Sequence, residues 1–173
     1  MLTVEKIGGT SMTAFADVLQ NIIFHNRQGA ALYNRIFVVS AYANVTNWLL
    51  ENKKTGAPGV YHRISQHQEF RAALQEVAAQ LKALNQTYAP LGLDVAVADA
   101  FIQQRIDRAQ TYLESLTNVL ASGYVNSANI LQAAREILAS IGEAHSAFNS
   151  VNILQNRGLN ATLVDLSGFE ALG

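Results

Sequence analysis

The run Lys6-Ile7-Gly8-Gly9-Thr10-Ser11 places a cation, two glycines and two hydroxyls where a β-rich apolar stretch gives way to a helical pattern. At such a turn the backbone N–H groups and the positive end of the helix face an anion, and the glycines let it come close to the main chain. A phosphate is the natural guest. The spacing of a Walker loop is absent, since Lys6 precedes the glycines and does not follow them. The plain alternative is a tight strand-to-helix connection in which Thr10 or Ser11 caps the helix.

Two further groups stand at comparable junctions. Ser40-Ala41 ends the apolar run Ile36-Phe37-Val38-Val39, and Thr46-Asn47 follows shortly after, at the start of another helical pattern. Open α/β sheets bind ligands beyond the carboxyl ends of their strands, so these hydroxyls are placed to hold a small polar substrate. They are equally placed to cap a helix beginning near Val45. Ser140-Ile141-Gly142-Glu143 reads either as a capping box or as a helix start opening toward a cleft, with Glu143 offering a carboxylate to a substrate ammonium group.

Other chemistries fail on residue type. The chain has no cysteine, which removes disulfides, thiolate metal sites and thiol nucleophiles, and a reducing cytoplasm is the expected compartment. His25, His62, His67 and His145 lack metal-ligand spacing, so no metal site is expected and ordinary surface or packing roles account for them. The serine-hydrolase elbow and the dinucleotide-binding glycine pattern are both missing. A net charge of -1 gives no excess positive field for nucleic acid or an anionic membrane. No run approaches the roughly 20 apolar residues of a membrane span, and Glu5 and Lys6 interrupt the first apolar stretch in a way no signal peptide does.

These residues need a scaffold, and 173 residues, 50% of them hydrophobic, are enough to build one core. Residues 2–7 read as a strand. Phe15, Val18, Leu19, Ile22 and Ile23 recur at helical spacing until Gly29, and residues 36–39 read as a strand covered on both faces. Strand, helix, strand opens an α/β domain with a parallel sheet. A third strand is expected at 161–166, before Gly168 and after a helix that ends near Gly158.

Between these parts Phe70, Leu74, Val77, Leu81, Leu84 and Tyr88 alternate in steps of four and three, as do Ile102, Ile106, Ala109, Leu113, Leu116 and Leu120. Two long helices broken at Ala89-Pro90-Leu91-Gly92 form a helical hairpin spanning 62–123. Gln75, Gln80, Gln103, Gln104 and Gln110 stand on its outward faces where Glu and Lys are usual. Two more helices are expected at 128–139 and 144–157, separated by the Ser140–Glu143 motif. Charged residues make up only 14% of the chain, against roughly 25% in soluble domains, which points to surface covered by a partner or by further sequence.

Taken together, Val4-Glu5-Lys6-Ile7-Gly8-Gly9-Thr10-Ser11, Val38-Val39-Ser40-Ala41 with Thr46-Asn47-Trp48-Leu49-Leu50, and Ser140-Ile141-Gly142-Glu143 with Ser146-Ala147 resemble the N-terminal half of an aspartate kinase, in the amino-acid kinase family. The resemblance runs from Met1 to about Leu166, and the wording VEKIGGTSM and GEAHSAFNSVNILQNRG looks closest to the type associated with ectoine synthesis. It implies a three-layer αβα sandwich, of which 1–173 would be the N-terminal, amino-acid-binding lobe, incomplete at its C-terminus. It implies transfer of the ATP γ-phosphoryl group to the β-carboxylate of L-aspartate, with ATP and Mg2+ serving the intact enzyme and neither held tightly by this lobe alone. Lys6, Gly8 and Gly9 would act on the phosphoryl group, and Ser11, Ser40, Ala41, Thr46 and Glu143 would hold aspartate. A homodimer is implied as well. The sequence departs from the family pattern at Asn44, where glycine is frequent. The other reading is a non-catalytic assembly or binding module that keeps the lobe's fold.

Overall fold

In a computed structural model, which describes residues 1–52 and 54–167, two short parallel strands lie beside a group of long helices. Strand β1 (Thr3–Ile7) and strand β2 (Arg35–Val39) pair in parallel with Thr3 opposite Arg35 and Ile7 opposite Val39. The arrangement is that of an α/β segment, and among the described residues the sheet has two strands.

The connection between the strands differs from the single helix expected before Gly29. Helix α1 (Gly9–Thr13) ends at Ala14, whose φ of -90° and ψ of 48° break the helical path, and α2 (Phe15–Val18) runs into a π-helical turn at Leu19–Phe24. Phe15, Val18, Leu19 and Ile23 remain buried, so the core-facing spacing survives the change of pitch. The wider turn also leaves carbonyls for arginines to fill. Arg35 donates to the Ile23 and Ile22 carbonyls at 2.8 and 2.9 Å, and Arg27 donates to Ile22 at 2.8 Å. Arg35 at the same time forms a two-pronged pair with Glu5, both contacts 2.7 Å, across the two strands. That guanidinium holds the Glu5 pKa below the usual carboxylate range.

Strand β2 is covered on one face only, contrary to the expectation of two. Val4, Ile36 and Val38 share the other face and are 68%, 48% and 52% exposed. The third strand is also absent from the sheet. Residues 161–166 keep the alternation of a strand, with Val164 and Leu166 outward, but no ladder forms. Instead the Gln155 side-chain amide donates to the Ala161 carbonyl at 2.8 Å, and a buried ion pair between Asp165 and Arg105 ties the segment to a helix. Gly168 lies outside the described residues.

Helix α3 (Val45–Leu49) follows β2, and α4 (Val60–Ser65) leads to the long antiparallel pair α5 (Arg71–Tyr88) and α6 (Val95–Ser122). Glu69 accepts from the N–H groups of Arg71 and Ala72 at the start of α5, and Asp94 caps α6 through the Val97 N–H at 3.2 Å. Between them, Gly92 turns the chain with a φ of +99° after a 3-10 turn containing Pro90. Leu74, Leu81, Ile102, Ile106 and Leu113 are all fully buried in the seam. The glutamines are not merely solvated: Gln75 donates to Gln110 at 3.0 Å and Lys82 to Gln103 at 2.6 Å, bridging the two helices.

The two helices expected around Ser140–Glu143 are one, α7 (Ser127–Asn156). The Ser140 hydroxyl donates back to the Ile137 carbonyl at 2.8 Å, as a mid-helix serine does, so the capping box is not used. The Ser140–Glu143 segment lies in the helix interior because Ile141 and Gly142 pack on the core and on the loop after β2. Asn126 supplies the cap at the true start, accepting from the Ala128 N–H at 2.9 Å. The C-terminal end near Gly158 is as expected, with Gly158 at a φ of +82°.

Candidate functional site

The turns that follow β1 and β2 are sewn together at the carboxyl end of the sheet. The Ser40 N–H donates to the Ile7 carbonyl at 3.0 Å, and the Ala43 N–H donates to Thr13 Oγ1 at 2.8 Å. Thr13 in turn donates to the Gly9 carbonyl at 3.0 Å. Gly9 is required by proximity, since a Cβ there would stand 2.7 Å from the Ala41 carbonyl oxygen. Gly8 takes the position before α1, in extended conformation, and Met12 closes the first turn on its carbonyl at 2.8 Å. The expected caps are not used: neither Thr10 nor Ser11 precedes α1, and no side chain caps it.

Lys6 lies on the open face of the sheet opposite Val38, and its ammonium folds back over the glycine turn, 3.4 Å from where a Gly8 Cβ would be. A cation, the N–H groups at the start of α1 and room left by two glycines therefore converge on one place. Thr46 is exposed in the first turn of α3, and neither it nor Ser40 caps that helix. The residue before α3 is Asn44, with a φ of +71° in the left-handed region. Glycine is the usual occupant of that conformation and asparagine the best-tolerated substitute, so the departure from the family pattern leaves the backbone shape attainable.

Helix α7 supplies the third wall. Ser146 donates to the Ser40 carbonyl at 2.8 Å, and Gly142 meets the loop so closely that a Cβ would stand 2.8 Å from Ala41 Cβ and 3.0 Å from Val45 Cγ1. One residue on, the exposed Glu143 carboxyl sits beside the Ala41 N–H. Surrounding protein pushes its pKa above the ordinary carboxylate value, and N–H donation from its own backbone and from Ala41 works against that push. Gly8 and Gly9 with Lys6 beside them, the Ser40–Ala41 loop, and Glu143 thus stand on neighbouring segments at the carboxyl end of the sheet. Ser11 and Thr46 are exposed.

Behind this wall is a buried polar cluster that sequence reading missed. Asn85, His145 and Asn149 are wholly buried, with His145 Nε2 2.7 Å from Asn85 Oδ1 and Asn149 Nδ2 2.8 Å from the same oxygen. Burial lowers the His145 pKa to about 4, so the ring is neutral near pH 7. The sequence signal is the spacing of His145 and Asn149, one helical turn apart on the buried face of α7. Among the described residues, no group of three or more His, Asp or Glu side chains is placed to hold a metal ion, and no helix is long and apolar enough to cross a membrane.

The fold and the site define an α/β segment in which a glycine turn with a lysine, the loop after β2 and a carboxylate of α7 stand on neighbouring segments. Compared with known proteins, the chain is 50% identical over 173 residues, 98% of its length, to the aspartate kinase Ask_Ect of Stutzerimonas stutzeri (strain A1501). It spans 36% of the length of that relative and corresponds to a segment of an aspartate kinase of the ectoine type. No protein-family profile and no solved structure matches the chain.

Proposed function

We propose that this chain is the amino-acid-binding lobe, 1–173, of an aspartate kinase, with residues 62–123 inserted in it as a helical hairpin. The parent enzyme transfers the γ-phosphoryl group of ATP to the β-carboxylate of L-aspartate. The observation that carries this reading is the Lys6 ammonium lying over the Gly8 turn, in a chain half identical to an aspartate kinase.

The reaction makes a specific demand. An aspartate side chain has a pKa near 3.9, so it is ionised at neutral pH and needs no general base. A carboxylate oxygen attacks the γ-phosphorus, the bond from that phosphorus to the β-phosphate oxygen breaks, and 4-phospho-L-aspartate and ADP leave with no proton transferred. The obstacle is bringing two anions together, which Lys6 and the N–H groups around Gly8 and Gly9 relieve by opposing the charge on the phosphoryl oxygens. Glu143 holds the aspartate ammonium, and that positive charge favours the ionised carboxylate against the upward push of the surrounding protein. Ser40, the Ala41 backbone, Thr46 and Ser11 complete the amino-acid side. The Mg2+ that accompanies ATP is assigned to no residue among those described. The lobe alone does not turn over.

The same reading puts the protein in the cytoplasm as a homodimer. The exposed face bearing Val4, Ile36 and Val38 gives it an apolar surface to cover. The test of the function is Lys6→Ala in the full-length enzyme. Turnover falls about 100-fold to 1,000-fold while the aspartate KM changes little, because the lysine acts mainly on charge developing in the transition state. Unchanged turnover overturns the proposal.

A further inference from the structure

The loop that carries Ser40 and Ala41 continues into Tyr42, which is only 2% exposed and faces the buried cluster. Its ring stacks on Tyr88 of α5 at 4.7 Å between centroids and meets the edge of His145 of α7 at 5.5 Å. From His145 the polar contacts lead outward. Asn85 accepts from His145 and from Asn149 on one side, and its own amide donates to Asp99 Oδ1 of α6 at 2.7 Å. That last bond fixes the rest: Asn85 presents N–H to Asp99, so its oxygen faces α7 and the proton of neutral His145 is on Nε2.

At the outer end, at Asp99, the chain has its partner. At the inner end it does not. Tyr42 Oη, His145 Nδ1 and Asn149 Oδ1 are all buried with no hydrogen-bond partner. With the proton on Nε2, His145 Nδ1 is a bare acceptor, as is Asn149 Oδ1, whereas the Tyr42 hydroxyl is a donor without an acceptor. Burial pushes the Tyr42 pKa up, so the hydroxyl keeps its proton, and the neighbouring Asn149 opposes that push only in part. Buried polar atoms left unpaired cost about 1–3 kcal/mol each, and a packed core rarely keeps three in one place.

We propose that Asp99, Asn85, His145, Asn149 and Tyr42 form a relay through which the α5–α6 pair positions the Ser40–Ala41 loop, and that the Tyr42 hydroxyl takes its buried acceptor when the loop closes on the amino-acid substrate. These are positioning residues, since Tyr42, Asn85, His145 and Asn149 are buried and Asp99 lies at the far edge of the cluster. His145 lies between Glu143 and Ser146, which both touch the loop, so one helix carries both the substrate carboxylate and the relay. The helical pair thereby acquires a role beyond filling space. The proposal rests on the reading of this loop as the aspartate subsite.

The test uses the full-length enzyme with Asp99→Ala, Asp99→Asn and Tyr42→Phe. Asp99 is half-buried at the edge of the cluster, so its loss leaves the core intact. In Asp99→Ala the Ser40 and Ala43 amides exchange with solvent about tenfold faster and the aspartate KM rises by a similar factor, a loss in keeping with one hydrogen bond to a charged group. Turnover and the ATP KM stay within about twofold, and Asp99→Asn, which keeps an acceptor, restores both readouts. Tyr42→Phe removes an orphaned hydroxyl, so it melts no lower than the parent yet raises the aspartate KM. A purely structural tyrosine would give the stability without the KM change. Unchanged amide exchange in Asp99→Ala, or an unchanged aspartate KM in Tyr42→Phe together with a raised one in Glu143→Gln, overturns the relay. Faster exchange with no effect of Glu143→Gln on the aspartate KM upholds the mechanical coupling and removes the substrate reading of the loop instead.

Discussion

Gly142 of α7 and Ala41 of the loop after β2 meet at the limit of contact, with room for one methyl group between them and not two. Helix and loop can therefore seat Glu143 beside the Ala41 N–H only while residue 142 has no side chain. Gly142→Ala improves intrinsic helix propensity by about 1 kcal/mol and still destabilises the fold, because overpacking costs about 1–3 kcal/mol. Adding Ala41→Gly removes the nearer clash and recovers part of the loss, although Val45 still crowds the site. Urea midpoints of the two single variants and the double variant measure the coupling.

Stability falls with acid through His145. Its pKa is about 4 in the fold against 6.5 unfolded, so between those values the unfolded chain binds the extra proton. The contribution is full above pH 6.5, declines as the pH drops, and is gone below about 4, a total on the order of 3 kcal/mol. Unfolding free energies at pH 7.5, 6 and 5 show this slope, and His145→Gln flattens it even though the variant is weaker at pH 7.5. An equal slope in both proteins would assign the acid sensitivity elsewhere.

The Arg105–Asp165 pair anchors the segment that fails to join the sheet. Both side chains are 4% exposed, and Arg105 also donates to Ser167 at 2.8 Å. Asp165→Ala takes the carboxylate away from a buried cation, which costs about 3–5 kcal/mol. Loss of the anchor also frees residues 161–167, so limited proteolysis should cut there first.

Glu143→Gln in the full-length enzyme keeps the shape of the side chain and removes its charge. The aspartate KM rises by about tenfold to a hundredfold, with little change in melting temperature, because the group is solvent-exposed and its partner is the substrate. Unchanged kinetics would leave Glu143 with no part in substrate binding.

Association through the open sheet face has its own signature. Ile36→Glu puts a charge opposite Val4 on the open face without touching the buried side, so the homodimer weakens in sedimentation while helix content is kept. Gln75→Glu with Gln104→Glu tests the helical pair instead, and a dimer lost only there moves the interface to the hairpin.

Much of this architecture is local and was readable before any coordinates. The steps of four and three from Phe70 and from Ile102 place α5 and α6, because a buried stripe at 3.6 residues per turn leaves no other spacing. The Gly8-Gly9 and Ser40-Ala41 turns announce themselves as breaks after apolar β-branched runs, and it is there that the candidate site lies. What failed was decided by contacts between distant residues. Ser140–Glu143 has the letters of a helix start, but Gly142 is fixed by its approach to Ala41, a hundred residues earlier, and the helix runs straight through. Residues 161–166 have the alternation of a strand, yet the partner they meet is Arg105 on α6 and not a β-ladder. The meeting of Tyr42, Asn85 and His145 leaves no periodic trace, because a buried polar cluster is satisfied across elements and only the tertiary structure chooses which side chains share it.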